Sequence, residues 1–316
     1  MFSSTSSTFG AALVLLACSS AFAMDKSDVE YSRPDGKPLL LDIHIPGGKG
    51  PFAAAIVVHG GGFDEGTKKS HVGPVLEVLT KAGFAWFSID YRMAPAYHFP
   101  QPVEDVDNAI RWVKKNAAAY NVDASKIALL GESAGAYLTS YAGTHETPET
   151  RVAANVDFYG PVDYALQALL RRDHPERFDM ASANIHTQRG GGTRYFGVEA
   201  LDAAGIARLH EISPITAVHK GMAPFLIFHG TQDNQVAYEE SPAMCEAIKK
   251  AGSKCDLIPI EGGGHGVTNW EKVEAQQLQW KPQLVAWLRK TLEAQGPPDA
   301  APKIGEPARP AAIRLP

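Results

Sequence analysis

Ser133 stands in Gly131-Glu132-Ser133-Ala134-Gly135, directly after the apolar run Ile127-Ala128-Leu129-Leu130 and before a run of small residues. That order predicts a buried strand, a sharp turn and the opening of a helix. A serine between two such glycines is lifted on a strained turn, with its hydroxyl presented at the end of the strand. A β-carbon at either glycine would collide across so tight a turn. The chemistry this allows is nucleophilic attack, provided that a base and an acid stand beside the serine.

Upstream, the β-leaning run Ala54-Ala55-Ile56-Val57-Val58 ends in His59-Gly60-Gly61-Gly62-Phe63. Glycines after a strand leave backbone N–H groups accessible. Together with the amide of Ala134, such donors can hold the negative oxygen of a tetrahedral intermediate. Downstream, Pro224-Phe225-Leu226-Ile227-Phe228 leads into a loop carrying Asp233, and Asp256-Leu257-Ile258-Pro259-Ile260 leads into Glu261-Gly262-Gly263-Gly264-His265-Gly266. A carboxylate just past a strand end suits the acid of a triad, and a histidine in a glycine-rich loop can bridge it to Ser133. The chain order Ser133, Asp233, His265 is the one found in α/β-hydrolases and differs from the two common protease orders.

On these residues the chain resembles the α/β-hydrolase superfamily, and within it the hormone-sensitive-lipase-type and bacterial feruloyl-esterase-type carboxylesterases. The resemblance extends over residues 28–292. Asp90-Tyr91-Arg92-Met93-Ala94-Pro95, Phe99-Pro100 and Glu104-Asp105 are similar to the group's DYRLAPE, FP and ED stretch, with Ala96 in place of the usual glutamate. Glu132 stands where many members carry aspartate or another residue. The resemblance implies a serine carboxylesterase that uses Ser133, Asp233 and His265 through an acyl-enzyme, with the amides of Gly61, Gly62 and Ala134 as oxyanion hole. It implies no cofactor and no metal. It also implies a small-molecule or glycan ester as substrate, short or compact, such as acetyl or feruloyl esters of plant polysaccharide. An amide hydrolase on the same residues and a non-catalytic ligand-binding homologue are the alternatives.

The elements that must position these residues alternate along the chain. Strands are expected at Leu39 to Ile45, with one face toward water, and near 53–58, 84–90, 127–131, 153–159, 224–229 and 256–260. Amphipathic helices lie between them: Val103, Val106, Ile110 and Val113 recur at helical spacing, as do Trp280, Leu284, Trp287 and Leu288. Alternation of this kind predicts an α/β fold, a mostly parallel central sheet with helices on both faces. The three reactive residues then sit at carboxyl ends of strands, where open α/β sheets place their sites. An insertion at about 160–223, with Arg171-Arg172 and a glycine run at Gly190–Gly192, is expected to form a small cap. The glycine run is not a phosphate loop, since neither a preceding strand nor a following Lys-Ser/Thr accompanies it.

Other polar residues read as scaffold. His59 is expected to brace the glycine loop. Asp90 and Asp105 are expected to pair with Arg92 or cap helices. His229 sits four residues before Asp233 and competes weakly as the base. Cys245 and Cys255 are candidates for a disulfide, with two free thiols the other reading; neither is placed as a nucleophile.

The 316 residues are 45 % hydrophobic and 21 % charged, ordinary for one globular domain, and the formal net charge of −5 gives no broad basic surface for nucleic acid. No apolar run in the body is long enough for a membrane span. Residues 1–23 carry no charged side chain and end in Ala21-Phe22-Ala23, which predicts a signal peptide and export to periplasm or medium. A lipoprotein anchored at Cys18 and a true start at Met24 are the alternatives. The hydrolase domain is expected over 24–295, and the Pro- and Ala-rich stretch 296–316 is expected to be disordered. The oligomeric state is left open.

Overall fold

The computed structural model describes residues 22–293. The expected leader, apart from Phe22 and Ala23, and the expected tail 296–316 lie outside the described residues. Eight strands form one sheet: β1 (Met24–Ser32), β2 (Leu39–Ile45), β3 (Phe52–Val58), β4 (Ala85–Ile89), β5 (Val122–Glu132), β6 (Ala154–Phe158), β7 (Phe225–Gly230) and β8 (Cys255–Ile260). Their spatial order is β1-β2-β4-β3-β5-β6-β7-β8. The pairs β1/β2 and β2/β4 are antiparallel, and every later pair is parallel.

The central strands are apolar without interruption because both faces are covered. In β3, Ala54, Ile56 and Val58 join the core on one side, while Ala55 and Val57 join the core on the other. Strand β5 divides in the same way, Ile127 and Leu129 against Ala128 and Leu130. The first side is closed by helix α2 (Gln101–Asn116), through Val106, Ile110 and Val113, and by α3 (Ala134–Thr144), through Tyr137 and Leu138. The second is closed by α1 (Gly73–Lys81) and by the C-terminal α9 (Glu274–Glu293), whose Trp280, Leu284, Leu288 and Leu292 form one buried i, i+4 row. This is the expected α/β-hydrolase architecture.

Two expectations about the first strands are corrected. β2 does not face water on one side. Asp42 and His44 on its polar face are buried, because Lys68 bridges to Asp42 and His44 stacks on Trp86 at 5.6 Å. Strand β1 was not expected at all: Met24-Asp25-Lys26-Ser27-Asp28 shows no apolar alternation, being a charged edge strand that is mostly exposed. β5 also begins earlier than expected, at Val122.

Cys245, on α7 (Glu240–Lys250), is disulfide-bonded to Cys255 at the start of β8, with 5.3 Å between their Cα atoms. The sequence separation of 10 closes a short loop, so the bond is worth ~3 kcal/mol through the entropy of the unfolded chain. Unfolding in urea with and without reductant should show that loss. An unchanged midpoint after verified reduction would contradict it.

The segment between β6 and β7 carries α4 (Tyr164–Asp173), α5 (Met180–Gln188) and α6 (Ala203–Glu211) and lies over the carboxyl ends of the strands. Helices α4 and α5 begin at Asp163 and Asp179, whose side chains accept hydrogen bonds from Leu166 N and Ser182 N. Among the described residues no helix is long and apolar enough to cross a membrane.

Candidate active site

Strand β5 delivers Ser133 to a backbone conformation of φ 52°, ψ −121°, strained for a residue with a side chain. The flanking glycines make the turn possible. A β-carbon on Gly131 would lie 2.4 Å from the carbonyl oxygen of Gly135, and one on Gly135 would lie 2.3 Å from that of Val58. The turn is held by Ser133 N, which donates to Phe158 O at 2.9 Å.

The structure brings the three expected residues into one line. Ser133 Oγ is 3.0 Å from His265 Nε2, and His265 Nδ1 is 2.7 Å from Asp233 Oδ2. Asp233 follows β7; His265 lies between β8 and the short helix α8 (Val267–Trp270). Asp233 is buried, and its other oxygen accepts from Gln235 N at 2.7 Å and Val236 N at 2.9 Å. Burial alone would raise its pKa. The attraction of His265, with hydrogen bonds from His229 and His265, outweighs that and holds the carboxyl well below the usual range. Asp233 is therefore an anion at any working pH.

His229 is not aligned with the serine. It is buried, with Nδ1 2.6 Å from Ser241 Oγ and Nε2 3.3 Å from both Asp233 Oδ2 and Val236 O. His59 is buried beneath the glycine loop, with Nδ1 2.6 Å from Gly60 O and its ring stacked on Tyr91 at 4.4 Å. Burial holds its pKa down at about 4, so it stays neutral. Asp105 is buried against Arg92, 2.8 Å from Nη2, as expected. Asp90 takes a different partner: it accepts from Lys68 N at 2.8 Å and lies 3.3 Å from Lys68 Nζ.

The glycine loop turns with φ 111° at Gly61 and 60° at Gly62. Its conformation is locked by the insertion. Phe63 stacks on Tyr195 at 4.1 Å, His186 Nδ1 is 2.8 Å from Asp64 Oδ1, and Arg189 bonds Glu65 at 2.6 Å. Gly191 packs so closely that a β-carbon there would lie 2.4 Å from Gly62 O. The amides of Gly61, Gly62 and Ala134 donate to no hydrogen bond among the described residues. Ala134 opens α3, whose N-terminal dipole adds partial positive charge at the same point.

Sequence reasoning missed the pairing of Glu132 with Tyr159. Tyr159 OH donates to Glu132 Oε2 at 2.5 Å and accepts from Val267 N at 2.8 Å, and its ring meets His265 edge-on at 4.7 Å. The residues are adjacent only because β5 and β6 are neighbours. Burial pushes the Glu132 carboxyl up to about 7, against the Tyr159 hydrogen bond and the attraction of His265. The folded protein thus keeps this proton to higher pH than the unfolded chain. Its contribution to stability is complete below the ordinary carboxylate range and is lost as pH rises toward 7. Urea unfolding of wild type and Glu132→Gln across this range should show the wild type losing ~3 kcal/mol relative to the variant. Parallel pH profiles would contradict it.

Two connected clefts meet at Ser133. One, of about 60 Å³, runs under the insertion past Ala134, Tyr164, Gln167 and Arg171. The other, of about 230 Å³, opens past Gly61, His265, Thr268 and Asn269.

Comparison with known proteins agrees with this architecture. Esterase LipQ of Mycobacterium tuberculosis is 28 % identical over 248 residues, 73 % of this chain and 54 % of that protein. The chain thus spans about half the length of the curated relatives it matches. A truncated carbohydrate esterase from gut microbiota superimposes with a TM-score of 0.69 at 24 % identity, over 87 % of this chain and 98 % of that one. Thermogutta terrifontis esterase 2, solved with propionate bound, gives a TM-score of 0.64 at 27 % identity over 86 % and 96 %. The BD-FAE family model matches residues 41–248, so the chain belongs to the BD-FAE family and carries the α/β-hydrolase fold of its esterase relatives.

Proposed function

We propose that this protein is a serine carboxylic-ester hydrolase acting on short or compact acyl groups. The observation that carries the reading is the aligned Ser133, His265 and Asp233 with the unengaged amides of Gly61, Gly62 and Ala134 beside them. In this reading His265 takes the Ser133 proton as Oγ attacks the ester carbonyl carbon. Asp233 fixes the imidazole tautomer and stabilises the imidazolium. The three amides receive the oxyanion, each donor worth about 3 kcal/mol of barrier. The carbon–oxygen bond to the alcohol then breaks, and His265 passes its proton to the leaving oxygen. Water, losing a proton to His265, attacks the acyl carbon. Ser133 leaves with that proton, and the carboxylic acid is freed.

The small cleft beneath the insertion, of about 60 Å³, supports short acyl groups, since the half-buried Arg171 would have to be desolvated against a long alkyl chain. The related Thermogutta esterase holds propionate, a short acid. Acetyl or feruloyl esters of plant polysaccharide are the environmental substrates this reading favours. Export fits the apolar leader ending in Ala21-Phe22-Ala23 and the Cys245–Cys255 disulfide, since such bonds persist in oxidising compartments. Measuring kcat/KM on p-nitrophenyl esters from C2 to C16 tests the specificity. The maximum should fall at C2 to C4, with a loss of about tenfold or more by C12. A maximum at C12 or longer, or activation at an oil–water interface, would make it a lipase.

A further inference from the structure

The leaving alcohol must receive its proton from His265, so it has to lie on the side of Ser133 that His265 lines. That is the larger, open cleft. The acyl group is left with the smaller cleft, which Ala134 lines and His265 does not. This assignment rests on the hydrolase reading above. It puts Arg171 in the acyl pocket.

Arg171 is an unusual lining residue. Its Nη2 donates to the carbonyl of Gln235 at 2.5 Å, and its guanidinium lies 5.8 Å from the Phe178 ring. Its Nε is buried and has no hydrogen-bond partner. No carboxylate among the described residues lies within ion-pair distance of it, unlike its neighbour Arg172, which pairs with Asp173. Burial accordingly weakens its hold on the proton. Glu240 and Asp233 attract it from beyond ion-pair distance, and burial pushes the Glu240 carboxyl well up in pKa. Asp179 lines the same cleft, with Oδ1 engaged in capping α5.

A half-buried cation with no ion-pair partner and a buried, unpaired Nε is costly, and such groups are normally paired. The bracing of Gln235 O does not require it either, because Gln167 Nε2 already donates to that oxygen at 2.6 Å. We propose that Arg171 is a specificity residue, and that among acyl groups long enough to reach it the one carrying an acceptor oxygen at its far end, which the guanidinium binds, is preferred. The oxygen belongs to a carboxylate or to a neutral carbonyl, and the substrates below separate the two.

The test compares monoethyl succinate, ethyl levulinate and ethyl pentanoate, acyl groups of similar length that end in a carboxylate, a ketone and a methyl group. Hydrolysis is followed by base uptake at constant pH. The wild type should favour at least one oxygen-bearing ester over pentanoate by about tenfold or more in kcat/KM, because a site built for an acceptor rejects the analogue that lacks one. A succinate advantage identifies an anionic acyl group, and a levulinate advantage alone identifies a neutral one. Arg171→Met should bring the ratio to near one. Pentanoate hydrolysed as well as both, or a ratio unaltered in Arg171→Met, overturns the proposal. The wild-type comparison decides even if the variant fails to fold. Failure on all three esters would overturn the hydrolase reading and this one with it, whereas turnover of pentanoate without preference overturns only this one.

Discussion

Ser133→Ala should lose ester hydrolysis by at least about ten-thousandfold in kcat while retaining the fold. Removing a nucleophile that acts as a unit with its base costs nearly as much as removing the whole set, and what survives comes from oxyanion stabilisation and binding. The fold should persist, because the strain at Ser133 is borne by the backbone. It depends on Gly131, on Gly135 and on the bond from Ser133 N to Phe158 O, none of which involves the hydroxyl. Urea unfolding alongside kcat separates the two effects. A variant keeping more than about a hundredth of wild-type kcat would contradict the assignment.

Asp233→Asn should cost about as much by a different route. The carboxylate accepts from His265 Nδ1 at 2.7 Å, which leaves Nε2 free to take the serine proton. If the asparagine amide nitrogen replaces Oδ2, it presents a donor where an acceptor stood. The ring then turns its lone pair toward residue 233 and carries its hydrogen on Nε2, facing Ser133 Oγ, where it can no longer act as base. Loss of kcat by about ten-thousandfold is the expected result. The Oδ1 contacts to Gln235 N and Val236 N can be kept by the asparagine oxygen, so the loop should stay in place. A kcat within about tenfold of wild type would mean that Asp233 does not orient the base.

Much of this arrangement was legible because each reactive residue follows an apolar run of strand length, and parallel strands present their ends on one edge. Ser133, Asp233 and His265 could thus be expected together although 132 residues separate the first from the last. What was hidden depends on neighbours in space. Strand β1 has the charged composition of an edge and no apolar period to detect. The Glu132–Tyr159 contact exists only because β5 and β6 are adjacent. Asp90 could pair with Arg92 or Lys68 by charge alone, and the turn that brings Lys68 across decides it. The disulfide stayed open because Cα separation across a helix-to-strand loop is not encoded in spacing. Arg171 read only as one of the pair Arg171-Arg172 in the expected cap, yet the packing of α4 beside the loop after β7 turns its guanidinium toward the carbonyl of Gln235 and the cleft.

If Ser133 is a nucleophile activated by His265 and Asp233, it must react with an electrophilic phosphorus probe. Labelling the wild type with a fluorophosphonate, followed by intact mass and peptide mapping, measures this directly. One phosphonyl group per chain is expected, on Ser133 alone, added far more slowly in Asp233→Asn. No adduct on folded wild-type protein, or an adduct on another residue, would contradict it.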